Sequence, residues 1–185
     1  MDEAKDTQGL IIDIRNYPSE FMVFALGQHL VYESTPFARF TIGDLANPGA
    51  FHWTDPPLAL SPANPRYEGK IVILIDEVSQ SQAEYTTMAL RSAPGTIVVG
   101  STTAGADGNV SQISLPGGLR TMISGIGVFY PDKTPTQRVG IVPDVVARPT
   151  IRGIRQGRDE VLEVALRQIL GDDAAIEELR LMIHP

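Results

Sequence analysis

The 185-residue chain contains no cysteine, so neither a disulfide framework nor a thiol nucleophile is available to it. Lysine and histidine are nearly as scarce, at three each, which leaves few candidates for a general base near neutral pH. Positive charge is in deficit: 15 Lys and Arg stand against 22 Asp and Glu, a net charge of -7. That balance argues against a nucleic-acid partner and against docking on an anionic membrane, both of which need a dense basic surface. No stretch approaches the roughly 18 consecutive apolar residues of a spanning helix, and no signal-peptide pattern is visible. Internal repeats and low-complexity tracts are missing as well. No His/Asp/Glu cluster has metal-ligand spacing, so no metal is expected, and nothing calls for another cofactor.

What is present reads as one globular domain, with 43% apolar and 20% charged residues. Residues 1–8 (MDEAKDTQ) are polar and patternless and read as a tag or linker remnant, with the core spanning residues 9–185. A buried-looking strand, Gly9–Ile14, follows so abruptly that an upstream part of the domain is expected to be missing. Glu20–Leu30 fits a buried helix interrupted by Gly27, and Ala38–Ile42 a short strand. Asp44–Glu68, rich in Asn-Pro and Asp-Pro steps, is an excursion with one strand near Phe51–Thr54. Lys70–Ile75 (KIVILI) is a β-branched run suited to a parallel sheet covered on both faces. With the helix Ser81–Ser92 and the strand Thr96–Val99 it forms a βαβ unit. Val110–Leu115 and Leu119–Tyr130, joined by Pro116-Gly117-Gly118, predict a hairpin. A last strand ends near Ala147, and helices are expected over Asp159–Leu170 and Asp173–Ile183. The fold class is α/β, with a parallel sheet flanked by helices.

Ser81 admits two readings. Ser81-Gln82-Ala83-Glu84 matches S-x-x-E, the capping box, whose hydroxyl and carboxylate satisfy free backbone N–H groups at a helix start. The same geometry suits a nucleophile. A serine where a strand turns into a helix sits on a tight, exposed turn, and the Gln82 N–H with the helix dipole can stabilise an oxyanion beside it. The two readings share a backbone and differ in whether a base is near.

Four stretches bear on that choice. Asp13-Ile14-Arg15-Asn16-Tyr17-Pro18 ends the first strand, and Ser79-Gln80-Ser81-Gln82-Ala83-Glu84 follows the strand Lys70–Ile75. Gly100-Ser101-Thr102-Thr103-Ala104-Gly105-Ala106 and Gly140-Ile141-Val142-Pro143-Asp144 come next. In order and spacing, from Gly9 to Leu170, they resemble the tail-specific, or C-terminal processing, serine peptidases. Each motif is weak alone; four in register are not. The resemblance implies a ClpP/crotonase-like fold, peptide-bond hydrolysis with Ser81 as nucleophile, and an extracytoplasmic location. It also implies substrate contacts at Ser19, Gln82, Gly105 and Ala106. The expected partner is a peptide or protein substrate, and a homo-oligomer is left open. The family's PDZ module is not in this chain.

The chain departs from the family pattern at three places. Ala106 stands where the catalytic lysine belongs, and Lys5, Lys70 and Lys133 lie outside that motif. Ser19-Glu20 replaces a Gly-Gly pair that lets a backbone N–H approach a carbonyl. Gln137 falls where the tricorn-like relatives, which use an upstream histidine, carry a glutamate. The base therefore comes from the upstream part, or from His29 or His52, or there is none and the domain is a peptide-binding pseudopeptidase. A more distant rival is an acyl-CoA enzyme of crotonase type, which the acidic balance disfavours. The glycine-rich stretch Thr102–Gly108 lacks the Lys-Ser/Thr of a phosphate loop and reads as a tight loop lining the Ser81 cleft. Asp13 and Arg15 read as a structural pair, Asp144 as a turn residue, and Glu160, Glu163, Glu177 and Glu178 as solvated helix-face charges.

Overall fold

The computed structural model describes residues 3–172 and 174–175. The first half runs β1 (Gly9–Asp13), α1 (Val23–Gly27), β2 (Thr35–Gly43), β3 (Phe51–Trp53), β4 (Leu58–Leu60) and β5 (Lys70–Ile75). Then come α2 (Gln82–Arg91), β6 (Ile97–Gly100), β7 (Val110–Ser114), β8 (Arg120–Ser124) and β9 (Gly127–Phe129). β10 (Val145–Val146), α3 (Ile151–Arg155) and α4 (Glu160–Leu170) follow. A parallel sheet in the order β1-β5-β6-β10 carries the fold. A second, antiparallel sheet is centred on β2, which pairs with β3, β4 and β9, while β7 and β8 form the expected hairpin.

The unbroken apolar run of β5 follows from its central place. Ile71, Ile73 and Ile75 pack with Ala83, Met88, Ala89 and Leu90 of α2 on one face. Val72 and Leu74 pack with Val161, Ala165 and Ile169 of α4 on the other. A strand buried on both sides has no polar face to alternate with, and each large aliphatic side chain buried there contributes roughly 1.5–3 kcal/mol.

Charged groups fasten α4 at both ends. Asp159 accepts from the Leu162 N–H at 3.0 Å as its N-cap, and Lys70 Nζ donates to the Gln168 and Ile169 carbonyls at its C-terminal end. The Arg15 guanidinium bridges Asp159 and Asp13, tying the end of β1 to the start of α4. Asp144 is more than a turn residue: it accepts from the Val98 N–H at 2.8 Å and pairs with Arg91 at 3.1 Å.

Several elements differ from the sequence reading. The helix expected over Glu20–Leu30 is confined to Val23–Gly27. Past it, His29 and Leu30 donate to Leu26 and Gly27, three residues back, so the coil tightens and ends. A Cβ at Gly27 would meet Leu60 at 2.8 Å, so close packing keeps a weak helix former there. The excursion contains β4 in addition to β3. Leu119–Tyr130 breaks at Gly125-Ile126, and its second part, β9, leaves the hairpin to join β2. The short helix α3, capped by Thr150, carries too little apolar periodicity to be foreseen. Glu163 is not a solvated charge: it is 5% exposed and ion-paired with Arg158. The predicted helix Asp173–Ile183 starts at a residue outside the described ones and runs almost wholly through such residues, Glu177 and Glu178 among them.

Candidate active site

Where β5 ends at Ile75, the carboxylate of Asp76 accepts from the Val78 and Ser79 N–H groups and closes a tight turn. Ser79 Oγ donates to the Ile14 carbonyl at 2.9 Å, holding this turn against the end of β1. Two residues on, Ser81 adopts φ 53° and ψ -120° immediately before α2. An N-cap ordinarily has extended backbone. A non-glycine residue held in this left-handed region stores on the order of 1–3 kcal/mol of strain and persists only where neighbours over-determine it. β6 approaches the same point. Gly100, at φ +141°, lies so near the end of β5 that a Cβ on it would stand 1.8 Å from the Ile75 carbonyl oxygen.

Glu84 is the principal restraint on Ser81. One carboxylate oxygen accepts from the Ser81 N–H at 3.1 Å, the Glu84 half of a capping box. The carboxylate also reaches across to the loop after β6, accepting from the Thr103 hydroxyl, the Gly105 N–H at 2.8 Å and the Ala106 N–H at 2.9 Å. Glu84 itself is fully buried, where an unpaired charge would be very costly and four donors offset that cost. The Thr103 hydroxyl in turn accepts from the Ile141 N–H at 2.7 Å. Gly-Ile-Val-Pro-Asp is thus a strut for the loop facing Ser81.

Ser81 is partly exposed and opens on a cavity of about 340 Å³. Gln82, Tyr85, Phe21, Phe40, Ile126 and Val128 contribute walls, with Asp107 and Gly108 entering from the loop. Tyr85 stacks on Phe21 at 6.1 Å between ring centres, and burial, with a contribution from Asp107, pushes its hydroxyl up to about 12. Burial pushes the Asp107 carboxyl up to about 7, the neighbouring Glu84 charge raising it further against the pull of the Gly108 N–H. A second groove of about 700 Å³ shares Asp107 and Ile126 and continues along Gly105, Ala106, Gln137 and Arg138.

Of the residues singled out in the sequence, Ser81 and Gln82 meet in the cavity. Gly105 and Ala106 line the adjoining groove, their N–H groups engaged by Glu84. Ser19 is exposed in the loop after β1; the Gln82 side chain donates to the carbonyl of its neighbour Glu20 at 3.1 Å, bringing that loop to the start of α2. Neither His29 nor His52 is among the cavity residues. His29 Nδ1 lies 2.7 Å from the Pro65 carbonyl, and His52 pairs with Asp44 at 3.2 Å. His184 lies outside the described residues. Gln137 holds structure: its amide donates to the carbonyls of Asp107 and Ile126 and accepts from the Val128 N–H. Asp107, Tyr85 and the aromatic walls were not legible as site residues, because nothing local marks which apolar side chains a distant loop will cover. Among the described residues, no group of three or more His, Cys, Asp or Glu side chains gathers to hold a metal ion.

A strained serine between a parallel strand and a helix, open to an apolar cleft, has the build of a nucleophile elbow. The chain belongs to peptidase family S41, whose profile matches residues 34–147, a span that includes the Ser81 turn and its loop partners. It is similar to a crystal structure from Parabacteroides merdae assigned as a peptidase, with 25% identity, a TM-score of 0.77, and coverage of 90% of this chain and 53% of that one. Mature CPAF in complex with lactacystin matches at 18% identity and TM-score 0.72, over 91% of this chain and 46% of that one. The photosystem II D1 C-terminal processing protease matches at 18% identity and TM-score 0.60, over 91% and 40% respectively. These likenesses show the fold, and the chain spans about half the length of the structures it matches or less. No curated protein matches it.

Proposed function

We propose that this chain is the catalytic core of a serine-type endopeptidase of the C-terminal processing kind, with Ser81 as nucleophile. The observation that carries the reading is the strained Ser81 backbone, held by Glu84 at the mouth of an apolar cavity. Ser81 Oγ attacks a peptide carbonyl carbon, its proton passes to a base, and the amine leaves as the acyl-enzyme forms; water then hydrolyses the ester. The Gln82 N–H, in the first turn of α2 where no carbonyl precedes it in the helix, and the Ser19 N–H supply the oxyanion donors in this scheme. Gly105 and Ala106 form a wall for the extended substrate in the adjoining groove. Because neither His29 nor His52 reaches the cavity, the base is assigned to a part of the protein beyond this chain. An extracytoplasmic location follows from the same family resemblance, and fractionation of expressing cells tests it.

Ala106 in the place of the family lysine favours a second reading, a silent peptide-binding domain on the same fold. A fluorophosphonate probe followed by intact mass separates the two. Labelling of the wild type that vanishes in Ser81→Ala supports the peptidase, and equal labelling of both proteins removes Ser81 as nucleophile. Labelling of neither, with peptide association surviving Ser81→Ala, supports the silent domain.

A further inference from the structure

The walls of the Ser81 cavity are apolar and aromatic apart from a few groups, of which Asp107 is the most anomalous. The residue is only 4% exposed, and its Oδ2 is buried without a hydrogen-bond partner. Its other oxygen accepts from the Gly108 N–H at 2.8 Å. Its backbone is fixed, since the Gln137 amide donates to the Asp107 carbonyl at 2.9 Å. A buried carboxyl oxygen without a donor is rare in folded proteins and calls for a specific explanation. Asp107 is at the same time one of the residues lining the cavity into which the proposed nucleophile opens.

We infer that this cavity is a specificity pocket for a basic side chain, in which Asp107 accepts from a lysine ammonium or arginine guanidinium while Phe21, Phe40 and Tyr85 enclose its aliphatic stem. The inference rests on the reading of Ser81 as the nucleophile of a peptidase. A cavity of about 340 Å³ is within the ordinary range for ligand sites, which are mostly apolar with a few placed polar groups. An aliphatic occupant would leave Oδ2 as unpartnered as it is in the empty protein, so the pocket favours lysine or arginine over leucine or phenylalanine. The titratable groups around Asp107 reinforce the preference. Glu84 on α2 adds negative charge, while Tyr85 on α2 and Tyr130 after β9 are phenols that burial pushes upward. The protein's net charge of -7 draws cationic peptides toward the cleft. With its carboxyl pushed up to about 7, Asp107 is partly protonated in the empty pocket at neutral pH, and an arriving cation stabilises the ionised form. Because Oδ2 is covered in the empty protein, uptake requires the Asp107 side chain to turn toward the cavity that the residue already lines.

The test is calorimetric titration of the full chain with benzamidine and with its neutral isostere benzamide, about one pH unit either side of the Asp107 value of about 7. Benzamidine is expected to bind roughly tenfold more tightly than benzamide on the alkaline side, a difference of about 1.4 kcal/mol. That advantage should shrink several-fold on the acid side and vanish in Asp107→Asn. Equal affinity for the two probes, no binding of either, or a preference that survives in Asp107→Asn overturns the inference. The wild-type pH comparison stands even if Asp107→Asn folds poorly. Fluorophosphonate labelling needs no basic group, so a failed titration leaves the Ser81 assignment to be judged separately.

Discussion

Glu84 receives the Ser81 N–H, the Thr103 hydroxyl and the N–H groups of Gly105 and Ala106 on one buried carboxylate. Glu84→Gln sets an NH2 group against some of those donors while hardly changing the volume. It is expected to cost about 2–4 kcal/mol in urea unfolding, and Ser81 labelling should fall with it because the strained turn loses its restraint. Asp107 acts in the opposite sense. Its folded value of about 7 stands above the ordinary 3.8, so the folded state keeps a proton that the unfolded chain gives up. Stability from this group is therefore full below about pH 4 and declines as pH rises toward 7. Asp107→Asn should stabilise the protein at neutral pH by on the order of 3–4 kcal/mol, a gain that thermal melts will show disappearing near pH 4. At this scale the sequence carried half of the information. Ser81 and Glu84 were legible as S-x-x-E, but the contacts of Glu84 with residues about twenty positions away depend on how β5 and β6 end side by side.

Elements buried by simple periodicity were read correctly, and those shaped by long-range packing were not. β5 and α4 announce themselves through a β-branched run and a helical stripe, because one packs on both faces and the other on one. β4 and β9 take their conformations from pairing with β2, α3 is held by the Thr150 cap, and three- to five-residue segments have no period to detect. Two changes test how elements are joined at the site. Asp159→Ala removes the cap of α4 and its bridge to Arg15, and should cost about 1–2 kcal/mol by denaturant unfolding. Gly100→Ala drives a methyl into the Ile75 carbonyl at a backbone angle that side chains avoid. It should lower stability by at least about 3 kcal/mol, beyond an ordinary overpacked site.

The whole molecule carries charge devices of opposite sign. Hydrogen bonds from Arg15 hold the Asp159 carboxyl below its ordinary value; in Asp13 burial pushes upward, but the Arg15 bonds prevail and the net shift is down. Stability from this pair is present above the unfolded values near pH 4 and lost as pH falls through the folded ones, whereas that from Asp107 is lost as pH rises toward 7. The melting temperature should accordingly peak at about pH 5, and Asp107→Asn should flatten the neutral side of that curve alone. The family resemblance was legible across most of the chain because four motifs stand in order and spacing along it, three of them where β1, β5 and β6 end. The source of the base was not, since His29 and His52 are drawn away by Pro65 and Asp44. Gln137, finally, makes the wall of the cleft dependent on an amide, since it both donates and accepts where it stands. Exchanging that amide for a carboxylate of the same length would aim negative charge at two carbonyl oxygens and loosen the floor beneath Asp107.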